Sequence, residues 1–254
     1  MSQPTRSGKK RPDRRFDKTQ LHADHHGRAV HRDYAAHFFR WGWVARQIKR
    51  GDRILDVGCG QEAPLASVLS GNMSTVPECY VGVDLNKPSI KFPPINAGWA
   101  TYWFETSFMD RWEDVTVAND YTRSLGFNVI VCCEVIEHME VADGLKLLQT
   151  FNKCLAEDGR IYLSTPVFNG KAALNHIHEY EIKELYHLIF DAGFKVERRF
   201  GTFMSAHDVK KYASETELEL FDQLKEYYSG EVLATFLAPL YPDQSRNNLW
   251  VLKK

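Results

Sequence analysis

The chain has 254 residues, of which 44% are hydrophobic and 26% charged, and its formal net charge is −1. These values are typical of a globular protein with its own core, and they exclude collagenous and wholly disordered chains. No apolar run approaches the ~20 residues that a membrane helix needs, so we predict no membrane contact. The first residues also lack the apolar segment of a secretory signal. Five cysteines without CxxC spacing indicate free thiols, and we therefore predict a cytoplasmic protein.

The first 20 residues differ in composition from the rest of the chain. Positions 1–15 hold six basic residues and one acidic residue, with almost no apolar side chains. Such a segment buries too little apolar surface to offset its ordering entropy, so we predict a disordered basic tail over residues 1–20. A solvated tail and an arm that contacts phosphate are the two interpretations of its charge. Residues 21–254 are predicted to form a single domain.

The next segment is predicted to be an aromatic helix over about residues 32–49. Its apolar residues recur at steps of three and four, namely Tyr34, Phe38, Trp41, Ala45 and Ile48. We interpret this stripe as core, with Tyr34 as the exception whose hydroxyl could reach a ligand. Several histidines lie between residues 22 and 37, but their spacing is not that of a zinc site.

From residue 53 onward, predicted strands alternate with helices. Strands are expected at 53–57, 80–83, 101–105, 127–133, 160–164, 195–200 and 248–252, and helices at 63–69, 142–156 and 181–192. This alternation predicts a parallel sheet with helices on both faces. The segment 205–246 is longer than a crossover requires and is predicted to be a helical insertion, which either shapes substrate access or only extends the packing.

A glycine-rich turn carries the strongest chemical signal. A buried strand leads directly into Gly58-Cys59-Gly60, where glycines allow a tight turn and close approach to a ligand. Asp84 ends the next strand, at the position where a parallel α/β sheet holds ribose hydroxyls. A lenient GxGxxA pattern would also admit a dinucleotide. However, Asp56 would repel a pyrophosphate and attract the ammonium and sulfonium of S-adenosylmethionine (SAM), so charge favours SAM.

Four motifs occur in order between residues 53 and 192: LDVGCG, VGVDL, NVIVCCEVIEH and GRIYLSTP. Together they resemble the class I SAM-dependent methyltransferases. The resemblance implies a doubly wound, mostly parallel seven-stranded α/β sheet with an antiparallel last strand, in an enzyme that methylates an oxygen or nitrogen atom. It also implies a set of cofactor contacts. Asp56, Gly58 and Gly60, with Cys59 in the same turn, would line the methionine side, and Asp84 would hold the ribose hydroxyls. Leu85, Ser107 and Phe108 would contact the adenine, and Glu134 would lie near the reacting end.

A second cluster of polar residues follows the fourth strand of the motif series. Glu134, Glu137 and His138 form an ExxEH group, and His176 lies beyond the STP strand end. Carboxylates and imidazoles suit a divalent metal that lowers the pKa of a hydroxyl. This stretch is similar to the small-RNA 3′-end 2′-O-methyltransferases, and the similarity implies Mg or Mn on these four residues. Glu134, His138 and His176 are the predicted catalytic residues.

The metal is one of two interpretations of the EVIEH sequence. The EVIEH sequence is also similar to that of the quinone-biosynthesis O-methyltransferases and of small-molecule methyltransferases, some of which need no metal. Without a metal, His138 or His176 could act as a general base near neutral pH.

The sequence leaves the methyl acceptor open. Amino-group DNA methyltransferases are disfavoured because Cys133-Glu134-Val135-Ile136 stands in place of their Asp/Asn-Pro-Pro-aromatic motif. Cytosine C5 methyltransferases are disfavoured because their nucleophile lies in a Pro-Cys dipeptide, which this sequence lacks. Three functions remain: methylation of a small molecule, modification of RNA or DNA, and SAM binding by a partner protein without turnover.

Overall fold

The structure is a computed structural model, and it describes residues 21–23, 29–31, 34–70, 76–86, 99–117 and 120–254. The predicted basic tail lies outside the described residues, and so does the side chain of Tyr34.

The described elements follow the predicted alternation. The strands are β1 (Leu21–Ala23), β2 (Ala29–His31), β3 (Arg53–Val57), β4 (Cys79–Asp84), β5 (Ala100–Glu105), β6 (Phe127–Cys133), β7 (Leu155–Pro166), β8 (Lys195–Phe203) and β9 (Asn247–Lys253). The helices are α1 (Tyr34–Ala45), α2 (Pro64–Ser70), α3 (Phe108–Thr116), α4 (Asp120–Leu125), α5 (Val141–Cys154), α6 (Ile182–Asp191), α7 (Ala206–Tyr212), α8 (Glu215–Leu224) and α9 (Gly230–Leu237). Short 3₁₀ turns cover Ile136–His138 and Ala238–Leu240. The hairpin β1–β2 and the helices α3, α4 and α7 were not predicted.

Seven strands form one sheet in the order β5-β4-β3-β6-β7-β9-β8. The pairs β4–β5, β3–β4, β3–β6 and β6–β7 are parallel, whereas β9 runs antiparallel to both β7 and β8. The predicted fold class is therefore confirmed, including the antiparallel last strand. The strand order reverses between β3 and β6, and such a reversal opens a crevice at the carboxyl ends of the two strands.

The sheet is buried on both faces. Consecutive residues of β3 point to opposite sides, so that Ile54 joins one apolar cluster and Leu55 the other. The first cluster includes residues of α1 and α2, and the second includes residues of α3, α5 and α6. Double burial explains why β6 contains the continuous apolar run VIVCC and does not alternate with polar residues.

The segment predicted as a helical insertion contains α7, α8 and α9. These helices enclose a small apolar cluster of their own around Met204, Val209, Phe221 and Leu233, and α9 packs against α1. None of the helices in the described part of the chain is long and apolar enough to cross a membrane.

Candidate cofactor site

The glycine turn after β3 has the backbone conformation that its sequence predicts. Gly58 and Gly60 have φ angles of 74° and 72°, in the left-handed region. The amides of Gly58 and Cys59 donate to the carbonyl of Val83, at 2.7 and 3.2 Å. A Cβ atom on Gly58 would lie 2.2 Å from Cγ2 of Val135, whereas one on Gly60 would have no described atom within 4 Å. Gly58 is thus required by packing, and Gly60 faces open space.

Asp84 connects the end of β4 to this turn. Its Oδ2 accepts a hydrogen bond from the Gly60 amide at 3.1 Å, and its Oδ1 accepts from the Asn86 amide at 2.8 Å. The carboxylate is therefore fixed at the edge of the turn. Leu85, which follows it, leaves 50% of its surface exposed.

Ser107 and Phe108 lie at the start of α3, after β5. Ser107 is the residue that precedes the first helical turn. Phe108 is buried, and its ring centroid lies 5.5 Å from that of Phe151 in the core. The structure therefore directs the Phe108 ring into the core and away from a surface that a ligand could reach.

A cavity of about 250 Å³ opens at the switch point between β3 and β6. Its walls are His37, Arg40, Trp41, Asp56, Gly58, Cys59, Gly60, Pro64, Val131, Cys133 and Glu134. Five of the predicted cofactor residues meet here, namely Asp56, Gly58, Cys59, Gly60 and Glu134. Asp84, Leu85, Ser107 and Phe108 are not among the walls. Helix α1 supplies three wall residues, namely Trp41 of the predicted aromatic stripe, and His37 and Arg40, which the sequence did not suggest.

Asp56 is a buried carboxyl group in the cavity wall. The Tyr80 hydroxyl donates a hydrogen bond to its Oδ2. Burial raises the pKa of Asp56 to about 7, although the hydrogen bond from Tyr80 opposes this rise. The group therefore titrates near neutral pH, and a cation in the cavity would favour its ionised form.

Glu134 follows β6 and is held by side chains of β7 and β9. Its own φ angle is 59°, a strained value for a residue other than glycine. Ser164 Oγ donates to Oε1 at 2.8 Å, and Asn247 Nδ2 donates to Oε1 and Oε2 at 3.0 and 2.9 Å. Asn247 is oriented in turn by Thr202, whose hydroxyl donates to Oδ1 at 2.7 Å.

These contacts set the charge of Glu134. Burial alone would raise the pKa of its carboxyl, but Arg40, His37 and the hydrogen bonds from Asn247 and Ser164 outweigh burial and hold the pKa below its ordinary value. Glu134 is thus an anion at neutral pH and a poor proton acceptor. Its position suits a cationic ligand group better than the removal of a proton.

Arg40 is the opposite charge in the cavity wall. Its side chain is fully buried, with Nη2 3.9 Å from Glu134 Oε1 and 2.6 Å from Nδ1 of His37. The atoms Nε and Nη1 are buried without a hydrogen-bond partner among the described residues. Because an unpaired buried donor is costly, an anionic group in the cavity would stabilise this arrangement.

The burial of Arg40 also corrects the predicted stripe of α1. The buried side of this helix carries Ala36, Arg40 and Val44, spaced by four residues, whereas Phe38 is about half exposed. The signal that could have found it is an arginine spaced by four residues from the apolar positions Ala36 and Val44.

A second group of ligating side chains lies at the same edge of the sheet. Ligand atoms of Glu137, His138 and His176 all lie within 4.8 Å of one another. Each side chain has a second polar contact. Glu137 Oε2 accepts from Thr165 Oγ1 at 3.1 Å, His138 Nδ1 lies 3.0 Å from the Asn175 carbonyl, and His176 Nδ1 lies 2.6 Å from Glu179 Oε1.

Three of the four predicted metal ligands are thus brought together. The fourth, Glu134, belongs to the cavity and not to this group. Glu137 is fully buried, and its Oε1 has no hydrogen-bond partner among the described residues. Metal-binding histidines usually bond a carboxylate or carbonyl through the other ring nitrogen, as both histidines do here. The donor set therefore fits a divalent cation.

The fold and the site together define a class of protein. A doubly wound sheet, a glycine turn after β3, an acid after β4 and a charged cavity at the switch point are the features of a SAM-dependent methyltransferase. Residues 25–223 match the family model described as a methyltransferase domain, and the chain belongs to that family. The prediction of an enzyme that uses SAM is confirmed at this level.

Similar proteins carry both O- and N-methyltransferase names. The ubiquinone biosynthesis O-methyltransferase of Haemophilus ducreyi is 26% identical over 208 residues, which cover 80% of this chain and 79% of that protein. The 1,6-didemethyltoxoflavin-N1-methyltransferase of Burkholderia thailandensis, solved with S-adenosylhomocysteine, has a TM-score of 0.54 at 15% identity, with 87% of this chain and 78% of that one covered. A SAM-dependent methyltransferase from Archaeoglobus fulgidus has a TM-score of 0.52 at 16% identity, over 88% and 94%. The two structures show the fold alone.

Proposed function

We propose that the chain is an O-methyltransferase that transfers the methyl group of SAM to a hydroxyl group held at a divalent metal ion on Glu137, His138 and His176. The observation that carries this proposal is the oriented group of one carboxylate and two imidazoles beside the cavity. The name of the Haemophilus ducreyi relative supports an oxygen acceptor.

The cofactor would lie in the cavity between opposite charges. Arg40 would bind the methionine carboxylate, and Asp56 and Glu134 would attract the ammonium and sulfonium. Outside the walls, Asp84 would bind the ribose hydroxyls, with Leu85 and Ser107 near the adenine. Phe108 would support this region from the core only. The zwitterionic methionine end of SAM thereby matches the charge pattern of the cavity.

The cavity and the ligating group are close enough to act on one reaction. Glu134 is hydrogen-bonded to Ser164, and Glu137 to the next residue, Thr165, at the carboxyl end of β7. A hydroxyl at the ligating group would therefore lie near the methyl end of the cofactor. In the transfer, the sulfonium C–S bond would break as the O–C bond forms, S-adenosylhomocysteine would be the leaving group, and the hydroxyl proton would pass to solvent.

When bound, a divalent metal supplies Lewis acidity that lowers the pKa of the acceptor hydroxyl. The protein's part is to orient the ligands. Glu179 holds the ring of His176, the Asn175 carbonyl holds that of His138, and Thr165 holds Glu137. Ligands fixed in this way would keep the acceptor in line with the methyl group, and such alignment is a large part of catalysis.

The surface beside the ligating group favours a small, partly apolar acceptor. Leu174 leaves 87% of its surface exposed two residues before His176, and Phe168 is also exposed. Lys171 is the one basic residue between positions 167 and 175. A polyanionic strand would be expected to meet more positive charge, so modification of nucleic acid is the alternative for the experiment to test.

The metal site can be tested without an acceptor. Chelator-treated protein is titrated with Mn²⁺, and the free ion is measured by electron paramagnetic resonance. We expect one bound Mn²⁺ in the wild type, strong loss of binding in Glu137→Gln and His176→Ala, and wild-type binding in His187→Ala, which alters an exposed histidine of α6. Equal binding by all four proteins would overturn the metal assignment.

Turnover identifies the class of acceptor. Formation of S-adenosylhomocysteine is measured with catechol, whose adjacent oxygens can chelate a cation, and with an oligoribonucleotide that ends in a free 3′-terminal ribose. We expect Mn²⁺-dependent methylation of the small diphenol. Methylation of the RNA terminus alone would reassign the acceptor, and metal-independent methylation would favour His138 or His176 as general base. SAH binding without turnover on either probe would favour a SAM-binding partner protein.

A further inference from the structure

We propose that His37 is a positioning residue for the cofactor: it accepts a hydrogen bond from Arg40 and keeps the guanidinium directed at the methionine carboxylate. This inference rests on the proposed function, because it assumes that the cavity holds SAM. His37 lies on α1, outside the four sequence motifs of the sheet.

The geometry around His37 orients its ring. Nδ1 lies 2.6 Å from Nη2 of Arg40, one helical turn away on the same helix. The ring centroid lies 5.7 Å from that of Trp41, at an interplanar angle of 31°. All three side chains are walls of the cavity. The Trp41 ring thus limits rotation of the imidazole, and the imidazole in turn holds one end of the guanidinium.

The protonation state of His37 agrees with an acceptor role. Burial, together with the positive charge of Arg40, lowers the pKa of His37 to about 4, although Glu134 opposes this shift. The ring is therefore neutral at neutral pH. Since arginine only donates hydrogen bonds, Nδ1 must carry the lone pair that receives one.

His37 also keeps two opposite charges from neutralising each other. The 3.9 Å between Arg40 Nη2 and Glu134 Oε1 is beyond hydrogen-bonding distance. Arg40 is bonded to His37 on one side, and Glu134 is bonded to Asn247 and Ser164 on the other. Without the His37 acceptor, the guanidinium could close on Glu134. A direct ion pair would satisfy both groups and weaken their attraction for the carboxylate and ammonium of the cofactor.

Two probes separate this role from general damage to the cavity. S-adenosylhomocysteine carries the methionine carboxylate and ammonium, whereas 5′-methylthioadenosine lacks both. Each is titrated calorimetrically into the wild type, His37→Phe, His37→Asn and the matched control His187→Phe. The asparagine variant retains an acceptor near the position of Nδ1.

We expect His37→Phe to weaken S-adenosylhomocysteine at least tenfold, equivalent to about 1.4 kcal/mol. Binding of 5′-methylthioadenosine should stay within twofold of the wild type in every variant. His37→Asn should recover most of the lost affinity, and His187→Phe should match the wild type. Unchanged S-adenosylhomocysteine affinity in His37→Phe, or equal weakening of both probes, would overturn the positioning role. Failure of the wild type to bind S-adenosylhomocysteine would instead overturn the proposed function.

Discussion

The hydrogen bonds from Asn247 to Glu134 give a prediction whose size follows from the structure. Asn247→Leu keeps the branched shape of the side chain but removes both hydrogen bonds to the carboxylate and the acceptor for the Thr202 hydroxyl. Hydrogen bonds to a charged group contribute about 1.5–3 kcal/mol and a neutral one about 1 kcal/mol. Both contacts to the carboxylate come from the same Nδ2 atom, so we count them as one charged interaction and add the neutral bond. We therefore expect the free energy of unfolding to fall by about 2.5–4 kcal/mol at pH 7.

Thr202→Val is the matched control for this substitution. It removes only the neutral hydrogen bond to Asn247 and leaves the donors to Glu134 in place, so we expect a loss of about 1 kcal/mol. Both variants can be measured by urea unfolding, monitored through the fluorescence of the six tryptophans. Equal losses in the two variants would refute the idea that Asn247 stabilises an ionised Glu134.

The pH dependence supplies a second, independent check. The pKa of Glu134 in the folded protein is below its ordinary value of 4.5. A group of this kind stabilises the fold above the ordinary pKa, and its contribution is lost as the pH falls through the folded value. The difference between the wild type and Asn247→Leu should therefore be largest near pH 7 and should shrink below about pH 4.

Three further predictions concern the walls of the cavity. Gly58→Ala should destabilise the protein more than Gly60→Ala. Each substitution costs about 1–2 kcal/mol of left-handed strain, but only the new Cβ at position 58 would also lie 2.2 Å from a Val135 methyl group. Equal denaturation midpoints would contradict this. Because burial raises the pKa of Asp56 to about 7, calorimetric affinity for S-adenosylhomocysteine should rise between pH 6 and 8, and Asp56→Asn should abolish the rise. Tyr80→Phe removes a hydrogen bond that lowers this pKa, so the same affinity curve should move to higher pH, and an unmoved curve would disprove the link.

The sheet and the glycine turn were predictable because their signals are local. The continuous apolar run of β6 indicates burial on both faces. A positive φ requirement explains the glycines at positions 58 and 60. The direction of the Phe108 side chain was not predictable in this way. Its place after the third strand implied an adenine contact, but α3 begins there and turns the ring towards Phe151. Helix α3 itself was missed, and its backbone is non-helical at Arg111.

The charges that complete the cavity could not be read from spacing. Glu134 and Asn247 are separated by 113 residues, and no periodic pattern relates them. Arg40 is buried only because the cavity walls from the sheet surround it, and a single arginine in an amphipathic helix is ordinarily solvent-exposed. The contact between Glu134 and Asn247 and the burial of Arg40 both depend on tertiary packing, which a motif search does not capture.

The insertion of β9 between β7 and β8 has a consequence for how the enzyme is made. Both neighbours precede β9 in the chain, so during synthesis they emerge before the strand that joins them. Until then, each presents a row of unpaired backbone groups, which is a template for association with another chain. Asn247, the first residue of β9, reaches Glu134 in the step that closes this gap. A nascent or stalled chain without β9 would thus be both prone to aggregation and unable to complete its cofactor site. Because the cofactor would bind only the finished sheet, its binding would help to retain the inserted strand.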